Sequence, residues 1–322
     1  PEATGRIARE LNIRSGALAY AGLKAKHART IQHLTLKLEE KTTAPEKAVG
    51  TGWKLERLGF VPRPIASADI ASNLFRIVLR NLTKDSSGEM DEAATLLSLD
   101  NNGTPALRVA NYFGDQRFGS ARHHRGFIAR HLVKGDFEGA LVLAIATESR
   151  KDRMEDKVFK RTVREYWGRW QEMLPKLRKS AERHAIERLA HSPGDFRGAF
   201  AALPYLLQQL SVYAYQSHLW NSIARKLIEQ KCEPLGAVIA VDDPFGEMLF
   251  PAVAATPPEL ASLDIPLLAR KSELKDPWKE AAEEVLRDEG ISVTELQIPG
   301  LRRPFFGEEP RALFFLASNF SL

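Results

Sequence analysis

The spacing of apolar and polar positions changes near residue 105 and divides the chain into two parts. Before this point, apolar side chains alternate with polar ones, as expected of half-buried strands in a mixed sheet. A charged helix follows, and the Asn-Asn-Gly sequence at 101–103 is expected to end it. The pattern predicts a helix at residues 2–11, strands at 17–20, 34–38 and 75–80, and a helix at 89–99.

After residue 105 the pattern is mainly helical, and we find no internal repeat. It predicts helices at residues 125–134, 136–147, 155–172, 177–190, 204–230 and 278–289, and a short buried strand at 236–241. The longest helix carries one apolar stripe, which we interpret as core. The stripe consists of Leu206, Leu210, Tyr213, Ser217, Trp220, Ala224 and Leu227.

Together the two parts predict an α/β (α+β) protein with two domains. Residues 1–105 are expected to form a domain with a mixed, largely antiparallel sheet, and residues 106–322 a mainly helical domain. A chain of 322 residues is long enough to bury two cores.

Composition narrows the class of protein. Hydrophobic residues make up 44% and charged residues 27%, as in ordinary globular proteins. No apolar run approaches the ~18 residues of a membrane span and no signal-peptide pattern is seen, so we expect a cytoplasmic protein without a membrane partner. The single cysteine, Cys232, excludes an intramolecular disulfide. We interpret the pair His123-His124 as polar surface and expect no metal.

The net charge of +5 and the pI of about 9.2 are compatible with binding a polyanion. Basic residues also cluster locally, and such clusters either track phosphates or form solvated helix faces. The first cluster contains Arg117, Arg122, His123, His124, Arg125 and Arg130. The second contains Arg150, Lys151, Arg153, Lys157, Lys160, Arg161 and Arg164.

Three strings carry the most specific signal in the chain. Residues 20–32 read YAGLKAKHARTIQ, residues 72–75 read SNLF, and residues 111–119 read NYFGDQRFG. These strings resemble the TruD family of tRNA pseudouridine synthases, whose catalytic loop reads AGxKD, a basic pair, and A-x-T-x-Q. Ala25 stands where the family has its catalytic aspartate. The resemblance extends to the helix YQSHLWN at 215–221 and to GLRRP at 300–304.

The resemblance implies that residues 1–105 belong to the pseudouridine synthase catalytic domain and residues 106–322 to the TRUD insertion domain. Family segments that precede helix 1 and follow the last residues are expected to lie outside this sequence. The resemblance also implies a monomer that converts a uridine of tRNA, at position 13, to pseudouridine without a cofactor.

In the family, the aspartate either attacks C1′ of the ribose or removes the 2′ proton, and Ala25 can do neither. The resemblance therefore implies an inactive chain, and three explanations stay open. The alanine is an engineered substitution, or a natural loss in a homologue kept as a tRNA binder or chaperone, or another acid such as Asp69 or Asp115 replaces the aspartate. A scaffold protein without RNA affinity is a further alternative.

The resemblance also assigns roles to individual residues. Asn73 is expected to help hold the catalytic loop, and Phe75 to pack near the target base, although Phe75 also suits the first core residue of a strand. Residues 111–119 are expected to be mainly architectural, at the junction of the two domains. The residues expected to contact RNA are Lys24, Lys26, His27, Gln116 and Arg117.

Overall fold

A computed structural model describes residues 2–22, 28–38, 45–82, 86–101, 104–119, 125–149 and 152–321. The chain forms two compact units, residues 1–81 and residues 82–322. Both combine helices with small antiparallel sheets, so the predicted α/β (α+β) fold class is confirmed. The predicted domain boundary at residues 105–106 falls within a strand of the second unit and stays a prediction about the extent of the two domains.

The described residues of the first unit form one α-helix and two strand pairs. Its elements are α1 (Glu2–Glu10), β1 (Leu18–Tyr20), β2 (Leu34–Leu36), β3 (Lys47–Gly50) and β4 (Trp53–Glu56). β1 pairs with β2 and β3 pairs with β4, both antiparallel. Gly52 lies in the turn of the second pair with φ of 80°, a left-handed conformation that glycine adopts without strain. Arg6 of α1 donates to the carbonyl of Thr51 at 3.1 Å and attaches the helix to this hairpin.

The predicted strand at residues 75–80 is absent. Residues 70–80 form neither helix nor strand, and Phe75 is 78% exposed. A strand needs a neighbour that accepts and donates its backbone hydrogen bonds, and no strand in the described part of the chain pairs with this segment. The interpretation of Phe75 as the first core residue of a strand is therefore wrong.

The second unit is larger and mainly helical. It begins with α2 (Ser86–Leu97), β5 (Ser98–Asn101), β6 (Thr104–Ala110), α3 (Ile128–Val133), α4 (Phe137–Leu141) and α5 (Met154–Glu165). It continues with α6 (Trp170–Met173), α7 (Arg183–His191), α8 (Phe196–Ala201), α9 (Tyr205–Lys231), β7 (Val238–Val241) and β8 (Met248–Pro251). It ends with α10 (Pro258–Ala261), β9 (Asp264–Leu267), α11 (Lys279–Glu289), β10 (Glu309–Ala312) and β11 (Phe314–Ser318).

β6 is the centre of a three-stranded antiparallel sheet, with β5 on one side and β11 on the other. Phe314 of β11 lies opposite Ala110, so the end of the described chain meets the strand that precedes residue 111. The Asn-Asn-Gly sequence does not end a helix as predicted, because α2 ends at Leu97 and β5 follows it. The remaining strands form the antiparallel pairs β7–β8 and β9–β10.

Several predicted elements differ from the observed ones. The helix predicted at 155–172 is interrupted, because α5 ends at Glu165 and Gly168, with φ of 86°, reverses the chain before α6 begins at Trp170. The strand predicted at 236–241 is present as β7, but its side chains are half-buried or exposed.

α9 passes through the hydrophobic core of the second unit. The later residues of the predicted stripe are fully buried, namely Ser217, Trp220, Ala224 and Leu227. The stripe prediction is wrong at the start of the helix, where Leu206, Leu210 and Tyr213 are exposed. Gln208 is buried there instead, because its amide donates to the carbonyl of Leu203 at 2.7 Å.

The structure contains a short internal repeat, contrary to the expectation of none. The heptapeptides GDFEGAL, with Asp136, and GDFRGAF, with Asp195, begin α4 and α8. Asp136 caps its helix by accepting the N–H of Gly139 at 2.8 Å, and Asp195 accepts that of Gly198 at 2.9 Å. A Cβ on either glycine would overlap the capping carboxylate in its present position, so a larger residue there requires the aspartate side chain to shift. The two caps line one cavity of about 430 Å³.

Leu227→Ala is expected to lower the free energy of unfolding by about 2–5 kcal/mol, because the buried side chain leaves a cavity. Leu206→Ala in the same helix is expected to change it by less than about 0.5 kcal/mol, because Leu206 is 69% exposed. Urea unfolding followed by circular dichroism measures both values. Equal losses in the two variants would contradict the buried face assigned to α9.

Candidate nucleic-acid interface

Asn111 attaches the segment that follows β6 to residues near the end of the chain. Its backbone N–H donates to the carbonyl of Leu313 at 2.8 Å, and its side-chain amide donates to the carbonyl of Ala312 at 3.0 Å. Arg311 donates to the Asn111 carbonyl from Nε at 3.0 Å and from Nη2 at 2.6 Å, and Nη2 also donates to Oδ1 at 2.7 Å. One asparagine therefore binds three consecutive residues.

The next two residues are bound to other parts of the second unit. The Phe113 N–H donates to Asn221 Oδ1 at 2.9 Å, and Asn221 Nδ2 donates to the Phe113 carbonyl at 2.9 Å. The Tyr112 hydroxyl donates to the Leu249 carbonyl and accepts the Leu249 N–H, both at 3.2 Å, and burial raises the pKa of Tyr112. The backbone at residues 112–113 is thus fixed from two sides.

Phe113 and Phe118 of this segment are buried and Tyr112 is half-buried, which agrees with its architectural interpretation. Phe113 meets Trp220 edge to face, with centroids 5.8 Å apart. Phe118 packs against Phe127 and Phe245, at centroid distances of 6.0 and 4.5 Å. These contacts place the two phenylalanines in the hydrophobic core.

Gln116 and Arg117 lie together on the exposed part of the same segment. The Arg117 N–H donates to the Gly114 carbonyl at 2.9 Å and closes a turn between the two buried rings. The Arg117 guanidinium lies 4.8 Å from the Phe113 ring centroid and 5.7 Å from that of Tyr213. Contact of these residues with RNA stays a prediction.

Arg311 is a second cation at this place, and sequence reasoning missed it. Its guanidinium lies 3.7 Å from the Phe113 ring centroid and 5.1 Å from that of Trp220. Burial, and then the nearby charge of Arg117, lower the pKa of Arg311 to about 10, so the group stays protonated at neutral pH. No local motif distinguishes Arg311, because its contacts depend on residues 200 positions away in the sequence.

The helix string at 215–221 is also architectural. The Gln216 amide donates to the carbonyls of Leu268 at 2.8 Å and Gly307 at 2.9 Å. The indole N–H of Trp220 donates to the carbonyl of Ile265 at 2.9 Å. Together with Asn221, these side chains join α9 to three other segments.

Part of the basic clusters is neutralised by ion pairs. Arg130 Nε lies 2.8 Å from Glu289 Oε2, and Lys160 is buried against Asp152 at 2.6 Å. Arg161 and Arg164 both pair with Glu148, at 3.2 and 3.3 Å. In the described part of the chain, Arg117 and Arg125 have no ion pair. Residues 122–124 and 150–151 lie outside the described residues.

The site residues predicted in the first unit are only partly described. Lys24, Ala25, Lys26 and His27 lie outside the described residues. Asn73 and Phe75 both lie on the exposed 70–80 segment, and their expected roles stay predictions.

The two acids considered as replacements for the aspartate differ in their surroundings. Asp69 accepts a hydrogen bond from Arg63 Nη1 at 2.8 Å and from the Ala66 N–H at 2.8 Å. These bonds hold the pKa of Asp69 at about 2, with the Arg63 bond the largest cause. The Asp69 carboxylate is therefore already engaged, whereas Asp115 lies in the exposed turn of the second unit.

Other kinds of site find little support. The described residues contain no group of three or more His, Cys, Asp or Glu side chains that could hold a metal ion. Cys232 is buried, which raises the pKa of its thiol to about 11 and disfavours a thiolate. Of the helices in the described ranges, none has the length and apolar character needed to cross a membrane.

The sequence profile of the tRNA pseudouridine synthase D (TruD) family matches residues 2–318. The chain belongs to the TruD family. The tRNA pseudouridine synthase D of Aquifex aeolicus is 29% identical over 324 residues, which cover 98% of this chain and 79% of the relative. A "Probable tRNA pseudouridine synthase D 1" of Methanococcus maripaludis is 26% identical over 303 residues, covering 92% of this chain and 74% of the relative.

A crystal structure of a TruD protein from Methanosarcina mazei has the same fold. The TM-score is 0.64 with 22% sequence identity, and the match covers 97% of this chain and 75% of that one. The TruD family is one of isomerases that act on tRNA. Family membership thus confirms the resemblance drawn from the sequence strings.

Asn221→Ala is expected to lower the free energy of unfolding by about 1–3 kcal/mol, because it leaves the Phe113 N–H and carbonyl without partners. Chemical denaturation measures the loss. An unchanged stability would show that water or another group replaces the amide.

The pH dependence of the stability of Asn221→Asp tests the same two hydrogen bonds to Phe113. An ionised carboxylate accepts the Phe113 N–H but faces the Phe113 carbonyl without a proton to donate, which raises the folded-state pKa of the new acid. The protonated acid can make both bonds, so its contribution is present at low pH and is lost as pH rises through that pKa. The stability deficit relative to the unchanged protein should shrink as pH falls from 7 towards 5. A deficit independent of pH would contradict the paired geometry.

Proposed function

We propose that this chain is a tRNA-binding member of the pseudouridine synthase D family that lacks the isomerisation step. Family membership over residues 2–318 supports tRNA as the ligand. The single observation behind the missing step is Ala25, within a loop that otherwise keeps the family's residues. In this proposal the ligand is a tRNA, and the nucleotide bound at the site is the uridine at position 13. The chain acts as a monomer in the cytoplasm.

The missing step follows from the chemistry of the family's aspartate. Breaking the glycosidic bond needs a charged carboxylate beside the ribose, either as nucleophile at C1′ or as base at the 2′ proton. The methyl group of Ala25 offers no lone pair and no proton acceptor. Binding and base extrusion do not depend on that carboxylate, so they persist without it.

Replacement by a second acid has weaker support. The carboxylate of Asp69 is held by Arg63 and by the Ala66 N–H, and a nucleophile or base must have free lone pairs within reach of the sugar. A homologue that binds tRNA as a chaperone remains the second candidate, and Ala25 favours it. Both candidates require tRNA affinity, and they differ in whether restoring the carboxylate restores turnover.

The chain is expected to bind tRNA with an affinity that falls steeply with salt. Each phosphate neutralised by a basic side chain adds about 0.7–0.9 to the slope of log affinity against log salt concentration. Filter binding at several salt concentrations measures the slope, with Ala25→Asp as a control that should have the same slope. Undetectable binding would leave only the scaffold alternative.

Ala25→Asp is expected to produce pseudouridine in tRNA, whereas the unchanged chain produces none. Release of tritium from C5-labelled uridine measures turnover. Ala25→Asn is the matched control, because it has the shape of aspartate without its charge and should stay inactive. Turnover by the unchanged chain would show that another group is the catalyst, and an inactive Ala25→Asp variant would support the chaperone candidate.

A further inference from the structure

Two guanidinium groups from distant segments lie against the same aromatic ring. Arg117 comes from the exposed turn after β6, and Arg311 comes from β10. Their central carbons lie 4.8 and 3.7 Å from the centroid of the Phe113 ring. The ring is buried and bonded to Asn221 through its backbone, so both cations have a rigid support.

Neither cation has a salt-bridge partner among the described residues. The charge of Glu309 acts on Arg311, but it raises the pKa of Arg311 less than burial and Arg117 lower it. The hydrogen-bond acceptors of Arg311 are the neutral carbonyl and amide oxygens of Asn111, and its Nη1 donates to none of the described groups. Other arginines of the second unit do have carboxylate partners, as Arg178 has in Glu155 at 3.2 Å and in Asp156.

Two adjacent cations repel each other, and burial of one of them adds a desolvation cost. The effect is visible at Arg311, whose pKa is lowered first by burial and then by the charge of Arg117. Contact with the aromatic ring offsets only part of this cost. An anion placed between the two groups would remove the repulsion.

We propose that Arg117 and Arg311 together bind one phosphate group of the RNA backbone. This inference rests on the proposed tRNA-binding function and adds a specific contact to it. A guanidinium presents a planar fork of N–H donors that matches phosphate oxygens, and two such forks around one phosphate provide several charge-assisted hydrogen bonds. Arg311 is held in place by Asn111, so little conformational freedom is lost on binding.

The geometry also assigns different tasks to the two arginines. Arg311 is half-buried and hydrogen-bonded, so it fixes the position of the phosphate. Arg117 is exposed and in contact only with rings, so it can adjust to the phosphate as RNA arrives.

Filter binding of a tRNA transcript over a range of salt concentrations tests the proposal. Arg117→Gln is expected to weaken binding roughly three- to tenfold at 0.1 M salt and to lower the log–log slope by about one unit. Arg178→Gln is the matched control, because Arg178 is already paired with carboxylates and its loss should leave the slope unchanged. Arg311→Lys keeps the charge and should keep most of the slope, whereas Arg311→Gln should lose about one unit.

Thermal melting separates a binding effect from a folding effect. Arg117→Gln should melt like the unchanged chain, because Arg117 is exposed, so a loss of slope in that variant is attributable to binding. If Arg311→Gln fails to fold, Arg117→Gln and Arg311→Lys still test the site. Slopes equal to that of the unchanged chain in Arg117→Gln would overturn the proposal.

Failure of the inference is distinguishable from failure of the proposed function. No tRNA binding by the unchanged chain would reject the proposed function and, with it, the RNA phosphate. A rise in melting temperature with inorganic phosphate that requires both arginines, together with unchanged tRNA slopes, would assign the pair to a free phosphate and overturn the RNA backbone as its ligand. If the tRNA affinity of the unchanged chain falls steeply with salt and the slope is smaller in Arg117→Gln, the result supports both the proposed function and the phosphate site.

Discussion

The second unit depends on the burial of the middle of α9, where residues 214–220 are all buried or half-buried. A helix in this position brings polar side chains into the core, where a polar group without a partner costs about 1–3 kcal/mol. Gln216, Trp220 and Asn221 meet much of this demand by bonding to the backbone of neighbouring segments, among them strand β9. Gln216 Oε1 and Ser217 Oγ have no such partner among the described residues. Each bond fixes one segment against the helix. The positions of segments with little regular structure are therefore determined by the side chains of a single helix.

The candidate interface is rigid because of this arrangement. Asn111 and Asn221 fix both ends of a three-residue stretch, and the buried ring of Phe113 lies between them. Within residues 111–119, the exposed positions are 114–117 and 119. A surface of this kind is largely preformed, so binding energy is not consumed in ordering the backbone.

Periodicity predicted α9, α11 and the short strands β1, β2 and β7, but it was wrong for the helix at 155–172 and the strand at 75–80. A helix forms its backbone hydrogen bonds internally, so α9 and α11 could be predicted to within a residue or two, whereas the strand expected at 75–80 depended on a partner that the described residues do not provide. The resemblance found the segment at 111–119 but not Arg311. Arg311 is positioned by its hydrogen bonds to Asn111, which is 200 positions away in the sequence, so no local pattern predicts it.

The repeated caps of α4 and α8 have a consequence for substitutions at their glycines. The carboxylates of Asp136 and Asp195 occupy the space that a Cβ on Gly139 or Gly198 would need. A larger residue at either glycine therefore requires the capping side chain to change its rotamer. Glycine lets the carboxylate approach the helix closely, but it lowers the intrinsic stability of the first turn. Each of the two caps thus combines a closely held carboxylate with a weaker start of its helix.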